Sequence, residues 1–216
     1  MSRPQITLPR LPIATLVVAA LAGAALAAAP EFKSIWKSPD AAEVSFAGKK
    51  LAALVITQDD GLRVAGEESL ANELAARGLQ AVPTYRFVPK EELLNAERAR
   101  GWFEKANIDG VIALRPVSSE QRLSYDNNVW ISTSYNTFWN YYGYGWTTVT
   151  PIGAPSRDQI ITVESLIYSV PRNQLLWAAV SETRNPKALP QFIDDLVKES
   201  VAELRKQGLA RTLPKR

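Results

Sequence analysis

The residues of this chain that could carry chemistry are few. Gly61-Leu62-Arg63-Val64-Ala65-Gly66-Glu67 has the two-glycine spacing of a phosphate-binding loop and falls between an expected strand and an expected helix. In such a loop the position after the second glycine must be lysine to reach phosphate; here it is Glu67, which repels it, so nucleotide binding is rejected. Asp59 and Asp60 stand at the carboxyl end of the same expected strand, where ligands of open α/β sheets often bind. Adjacent carboxylates can hold a divalent cation weakly, but the preferred reading is that Asp60 caps the helix that follows. The chain has no histidine and no cysteine. The commonest general base, the commonest metal ligand, thiol catalysis and disulfides are therefore excluded. A serine nucleophile would need a lysine base, and no spacing reveals such a pair. Glu164, inside an expected strand, reads as solvent-facing rather than catalytic. No cofactor, no metal site and no catalytic residue is expected, and a hydrolase is the lowest-ranked function.

The other unusual residues are aromatic. Residues 127–156 contain no charge, and nine of the chain's nineteen Phe, Trp and Tyr fall within positions 125–146. Trp130, Tyr135, Phe138, Trp139, Tyr141, Tyr142, Tyr144 and Trp146 form the candidate contact surface. Such rings join a flat apolar body to a polar tip, which suits interfaces and sugar rings. β-branched, aromatic and small polar residues mixed in this way suit strands, so a hairpin turning near residues 140–145 is expected. The alternative is that the segment folds back over one face of its own sheet; free exposure would invite aggregation.

The elements that position these residues follow from periodicity. Residues 50–57 (KLAALVIT) are a short apolar run, read as a strand buried on both faces. A helix is expected over 62–77 with Leu70 and Leu74 on one face, Arg63 and Glu67 paired on its first turns and Gly78 as its stop. A second strand over 79–87 is broken or edged by Pro83. A second helix over 90–106, a turn at 107–110 and a third apolar strand at 111–114 follow. This strand–helix–strand–helix–strand order implies a parallel sheet with right-handed crossovers. The second half differs: residues 160–170 and 175–180 read as an antiparallel hairpin about Pro171-Arg172-Asn173-Gln174. An amphipathic helix over 189–208 carries Phe192, Ile193, Leu196, Val197, Val201 and Leu204. The expected fold class is α/β with α+β character in its second half: a three-layer or two-layer sandwich with a βαβαβ parallel start, an antiparallel hairpin and a C-terminal helix.

Residues 1–27 read as an export signal. Arg3 and Arg10 precede an apolar run that ends in Ala25-Leu26-Ala27. The 189 residues behind it are one domain by size, divided into an extended lead-in (28–48) with Trp36 as its anchor, a single α/β domain (49–209) with the aromatic insertion, and a tail (210–216). Loss of the two arginines takes the net charge from +3 to +1, and no dense basic cluster remains, so nucleic acid is not an expected partner.

Several short stretches, in order, resemble a family of bacterial envelope proteins of unknown function, mostly lipoproteins. The family is related in fold to the amino-terminal domain of TolB and the α/β domain of the curli secretion channel. The stretches are Trp36-Lys37-Ser38-Pro39, Asp60 with Arg63-Val64-Ala65-Gly66-Glu67, Asn107-Ile108-Asp109-Gly110, Phe138-Trp139-Asn140-Tyr141-Tyr142 and Leu175-Leu176-Trp177. The resemblance implies a periplasmic or outer-membrane location and no known catalytic residues. The lipidation cysteine of the family is missing, which favours a soluble periplasmic form. The expected function is binding or assembly through the insertion, with an envelope protein or a second copy as partner, or, as the alternative, recognition of an envelope glycan.

Overall fold

The structure, a computed structural model, describes residues 29–118, 128–152, 159–186 and 188–209. The expected signal segment and tail, and the parts of the aromatic insertion at 127 and 153–156, lie outside the described residues.

The chain folds as a three-layer α/β sandwich. Six strands form one mixed sheet: β1 (Glu31–Lys37), β2 (Lys50–Val55), β3 (Gln80–Pro83), β4 (Gly110–Val117), β5 (Ile160–Ser169) and β6 (Gln174–Arg184), in the order β1-β6-β5-β4-β2-β3. β2 pairs in parallel with β3 and β4, and every other pairing is antiparallel. On one face lie α1 (Asp60–Ala76) and α4 (Leu189–Lys206). On the other lie α2 (Ala96–Lys105) and α3 (Phe138–Thr147). The central strands are buried on both faces, so their sequences run apolar without alternation.

The expected parallel start and the antiparallel hairpin are present, with local differences. The stretch read as a lead-in supplies β1, which pairs with β6 and breaks register between Phe32 and Ser34. Pro83 ends β3, an edge strand, a position where proline is tolerated. The second expected helix is shorter: Lys90–Glu92 is a single 3-10 turn, and α2 begins only after Asn95, whose side chain accepts the N–H of Arg98.

The largest correction concerns the insertion. The stretch expected as a hairpin is helix α3. Its Thr137 hydroxyl accepts the N–H of Asn140 at 3.3 Å, an N-cap. Phe138, Tyr141, Tyr142 and Gly145 recur at three- and four-residue intervals and are all buried. The burial of that stripe outweighs the strand preference of the individual aromatic residues. Gly145 lets the helix lie directly on Ile56, the residue after β2: a Cβ there would stand 2.7 Å from Ile56 Cδ1. The hairpin turn fixes the start of α3, because Asn173 Oδ1 accepts the N–H of Phe138 at 3.1 Å while its own backbone sits at φ 47°.

Candidate ligand cleft at the carboxyl end of β2

Beyond the last residue of β2 the chain turns through Thr57, Gln58 and Asp59 into α1. Asp59, not Asp60, is the cap: its Oδ1 accepts the N–H of Leu62 at 2.9 Å. This corrects the expectation for Asp60, which is free to face outward and is bound by the ammonium of Lys90. That bond holds the Asp60 carboxyl below its ordinary value. Asp60 and Lys90, with Thr57 and Gln58, form the polar rim of a cleft of about 250 Å³. Leu93, Leu94, Trp146 and Val149 form its apolar wall. The cleft lies where ligands of open α/β sheets collect, outside the carboxyl end of a parallel strand. It joins one aromatic side chain to a carboxylate, an ammonium, an amide and a hydroxyl.

Two buried charged side chains of α1 stand behind the rim. Arg63 and Glu67, expected as an exposed pair, are both in the interior. Glu67 uses its oxygens on backbone: Oε1 accepts from Val55 N at 3.2 Å and Oε2 from Tyr85 N at 2.7 Å. It thereby ties α1 to β2 and to the turn after β3. Burial pushes its carboxyl up to about 7, against the pull of those N–H donors and of Arg63. Arg63 is only 5% exposed. Its Nη2 lies 3.6 Å from Asp60 Oδ1, while Nε and Nη1 have no hydrogen-bond partner.

The candidate contact residues divide into two groups. Trp130, Tyr135, Phe138, Tyr141 and Tyr142 are buried in the second core, between the sheet, α2 and α3. They cover their own sheet, so the expectation of a contact surface is corrected for these five: none can meet a partner without leaving the core. Trp139, Tyr144 and Trp146 are half-buried. Trp139 lies under the guanidinium of Arg100, 5.1 Å from ring to cation. Of the eight, Trp146 lines the cleft. Its indole N–H lies beside the Tyr142 hydroxyl without closing a hydrogen bond, and that hydroxyl donates to Leu93 O at 2.7 Å.

Glu164 is the clearest failure of the sequence reading. It is fully buried and paired with Arg115, which is fully buried too. The guanidinium also donates to the Thr148 hydroxyl at 2.8 Å and to the Tyr135 hydroxyl at 3.1 Å. Tyr135 in turn donates to Glu164 Oε1 at 2.5 Å. Burial is the largest single influence and opposes the charge on Arg115, but Glu164, Tyr141 and Tyr135 together outweigh it and hold the guanidinium above its ordinary value. The signal was a lone charge in each of two apolar strands, opposite in sign. Such charges stay buried only when paired.

Among the described residues, those that line the cleft offer groups suited to binding. Lys90 is committed to Asp60, and Thr57 Oγ1 accepts the N–H of Asp59 at 3.3 Å. Among the described residues no cluster of three or more acidic side chains could hold a metal ion.

No known protein family matches the sequence, and no curated protein does. Among solved structures, the PelC dodecamer from Paraburkholderia phytofirmans is similar at a TM-score of 0.44 and 13% identity, over 81% of this chain and 96% of that one. A single-residue variant of the same PelC, in another crystal form, gives the same score and identity over 97% of its length.

Proposed function

We propose that this chain is a non-enzymatic binding protein of the cell envelope, and that its ligand is a sugar unit held in the cleft at the carboxyl end of β2. The observation that carries the reading is the placement of Trp146 against Thr57, Gln58, Asp60 and Lys90 around one small cleft. An indole face with a few polar side chains is a suitable surface for a pyranose, whose ring faces are apolar and whose edges are hydroxyls. The insertion serves this function by supplying the wall, not by reaching outward. The envelope location rests on the basic, alanine-rich amino-terminal segment.

Calorimetric titration of the mature protein with peptidoglycan fragments and envelope oligosaccharides tests this. Heat of binding is expected with at least one class, and Trp146→Ala removes it while the folded protein survives. Silence across the panel, or a Trp146→Ala variant that binds as well as the parent, defeats the reading.

A second reading, assembly with a second copy or another envelope protein, is favoured by Ile131, which is 62% exposed on the outer side of the insertion. Light scattering on the parent and on Ile131→Asp decides it. Excision of the insertion is unsuitable, because it would strip the second core. A larger species in the parent that dissociates in Ile131→Asp supports assembly; a monomer in both removes it.

A further inference from the structure

We propose that the sugar taken by the cleft carries a carboxylate, and that this group displaces Asp60 from Lys90 and Arg63; the inference rests on the cleft being the ligand site.

Asp60 looks like a placeholder. Its half-exposed carboxylate lies on the rim, bonded to Lys90 and 3.6 Å from Arg63 Nη2. The contact with Arg63 is too long for a hydrogen bond. Arg63 is therefore a buried guanidinium whose contact with Asp60 is loose, whose attraction to Glu67 closes no hydrogen bond, and whose Nε and Nη1 find no acceptor. Burying such donors unmade is costly, and a native structure that does so calls for an explanation. Nearby acceptors are already committed: Glu67 to the N–H groups of Val55 and Tyr85, and Asp59 to that of Leu62. A carboxylate entering from the cleft would meet Lys90 on the rim first. It would then offer two oxygens to a planar fork that Asp60, tethered to the first turn of the same helix, does not engage in bidentate fashion. Trp146 lines the same cleft and can take the ring that carries the acid.

The test compares methyl β-D-glucuronide with methyl β-D-glucoside, two pyranosides that differ only in the acid, by calorimetry at fixed low salt. The glucuronide is expected to bind at least about tenfold more tightly, the effect of one charge-assisted contact. Asp60→Asn, which keeps the shape and removes the competing charge, should tighten the glucuronide and leave the glucoside unchanged. Lys90→Met and Arg63→Met should each abolish the preference. Lys90 is on the surface, so that variant stays informative if Arg63→Met fails to fold. Equal affinities for the two pyranosides, or a glucuronide weakened by Asp60→Asn, overturn the proposal and leave the sugar-binding reading standing. Binding of neither pyranoside overturns it as well, and a fragment panel that is also silent takes the sugar-binding reading down with it.

Discussion

Arg115 and Glu164 lie directly opposite one another on β4 and β5, and two hydrogen bonds of 2.8 and 2.9 Å join guanidinium to carboxylate in a site closed to solvent. The pair binds strand to strand, and through Tyr135 and Thr148 it also binds the insertion to the sheet. Buried ion pairs contribute little net stability over an apolar pair but are costly to break from one side. Glu164→Gln is therefore expected to destabilise the fold by about 3–5 kcal/mol, read as a lowered midpoint in urea. Arg115→Met combined with Glu164→Met should recover part of that loss. A single substitution that costs less than about 1 kcal/mol would show that the pair is solvated in solution.

Glu67 sets a dependence on pH. Its folded carboxyl is raised from 4.5 to about 7 by burial, so between those values the folded state binds a proton that the unfolded chain has released. Stability from this group is complete below pH 4.5 and falls as pH rises toward 7. The total is on the order of 3 kcal/mol. Denaturation midpoints measured from pH 4.5 to 8 should fall across this window in the parent. Glu67→Gln, which cannot ionise, should flatten the fall. A parent and variant with parallel profiles would assign the slope to other groups.

Asn173 does two things at once, and two substitutions separate them. Its positive φ favours glycine, while its side chain caps α3. Asn173→Gly should cost only the cap, about 0.5–1 kcal/mol. Asn173→Ala should cost more, because a Cβ without the polar side chain resists that backbone region by roughly another 1 kcal/mol. Equal thermal shifts for the two would mean that the turn relaxes.

Gly110 opens β4 beneath Phe46. A Cβ there would lie 2.4 Å from Phe46 Cε1 and 2.9 Å from Leu51 Cδ2. Gly110→Ala should destabilise by about 1–3 kcal/mol, the range for overpacked cores. Pairing it with Phe46→Leu should restore part of the loss in the same denaturation assay.

The alternation of apolar runs and amphipathic helices made most of the sandwich legible, because burial on both faces writes itself as an unbroken apolar string. β2 and β5 are legible at close to their observed bounds for that reason, whereas β4 and β6 run on past the apolar strings at 111–114 and 175–180, through Arg115 to Val117 and through Ser181 to Arg184. β1 was missed because an edge strand with the sequence Glu-Phe-Lys-Ser-Ile-Trp-Lys has no such string and interrupts its own alternation with a bulge near Lys33. Helix α3 was missed because its aromatic residues have strand preference one by one. Its helical stripe, Phe138, Tyr141, Tyr142 and Gly145, is visible only when the glycine is counted as a contact point. The cleft was half legible. Asp59 and Asp60 marked the right end of the right strand, but Lys90 and Trp146 reach it from segments 30 and 86 positions beyond Asp60, and no spacing rule joins such distances.

The pairing of β1 with β6 imposes an order of events on synthesis. The first strand made must wait for the last. A chain growing from its amino end can assemble β2, β3 and β4 early, yet residues 31–37 have no neighbour until Arg184 has left the ribosome. Contacts so distant along the chain slow folding. Any product truncated before β6 leaves one strand bare and the aromatic layer without its floor. Such fragments should be sticky and short-lived.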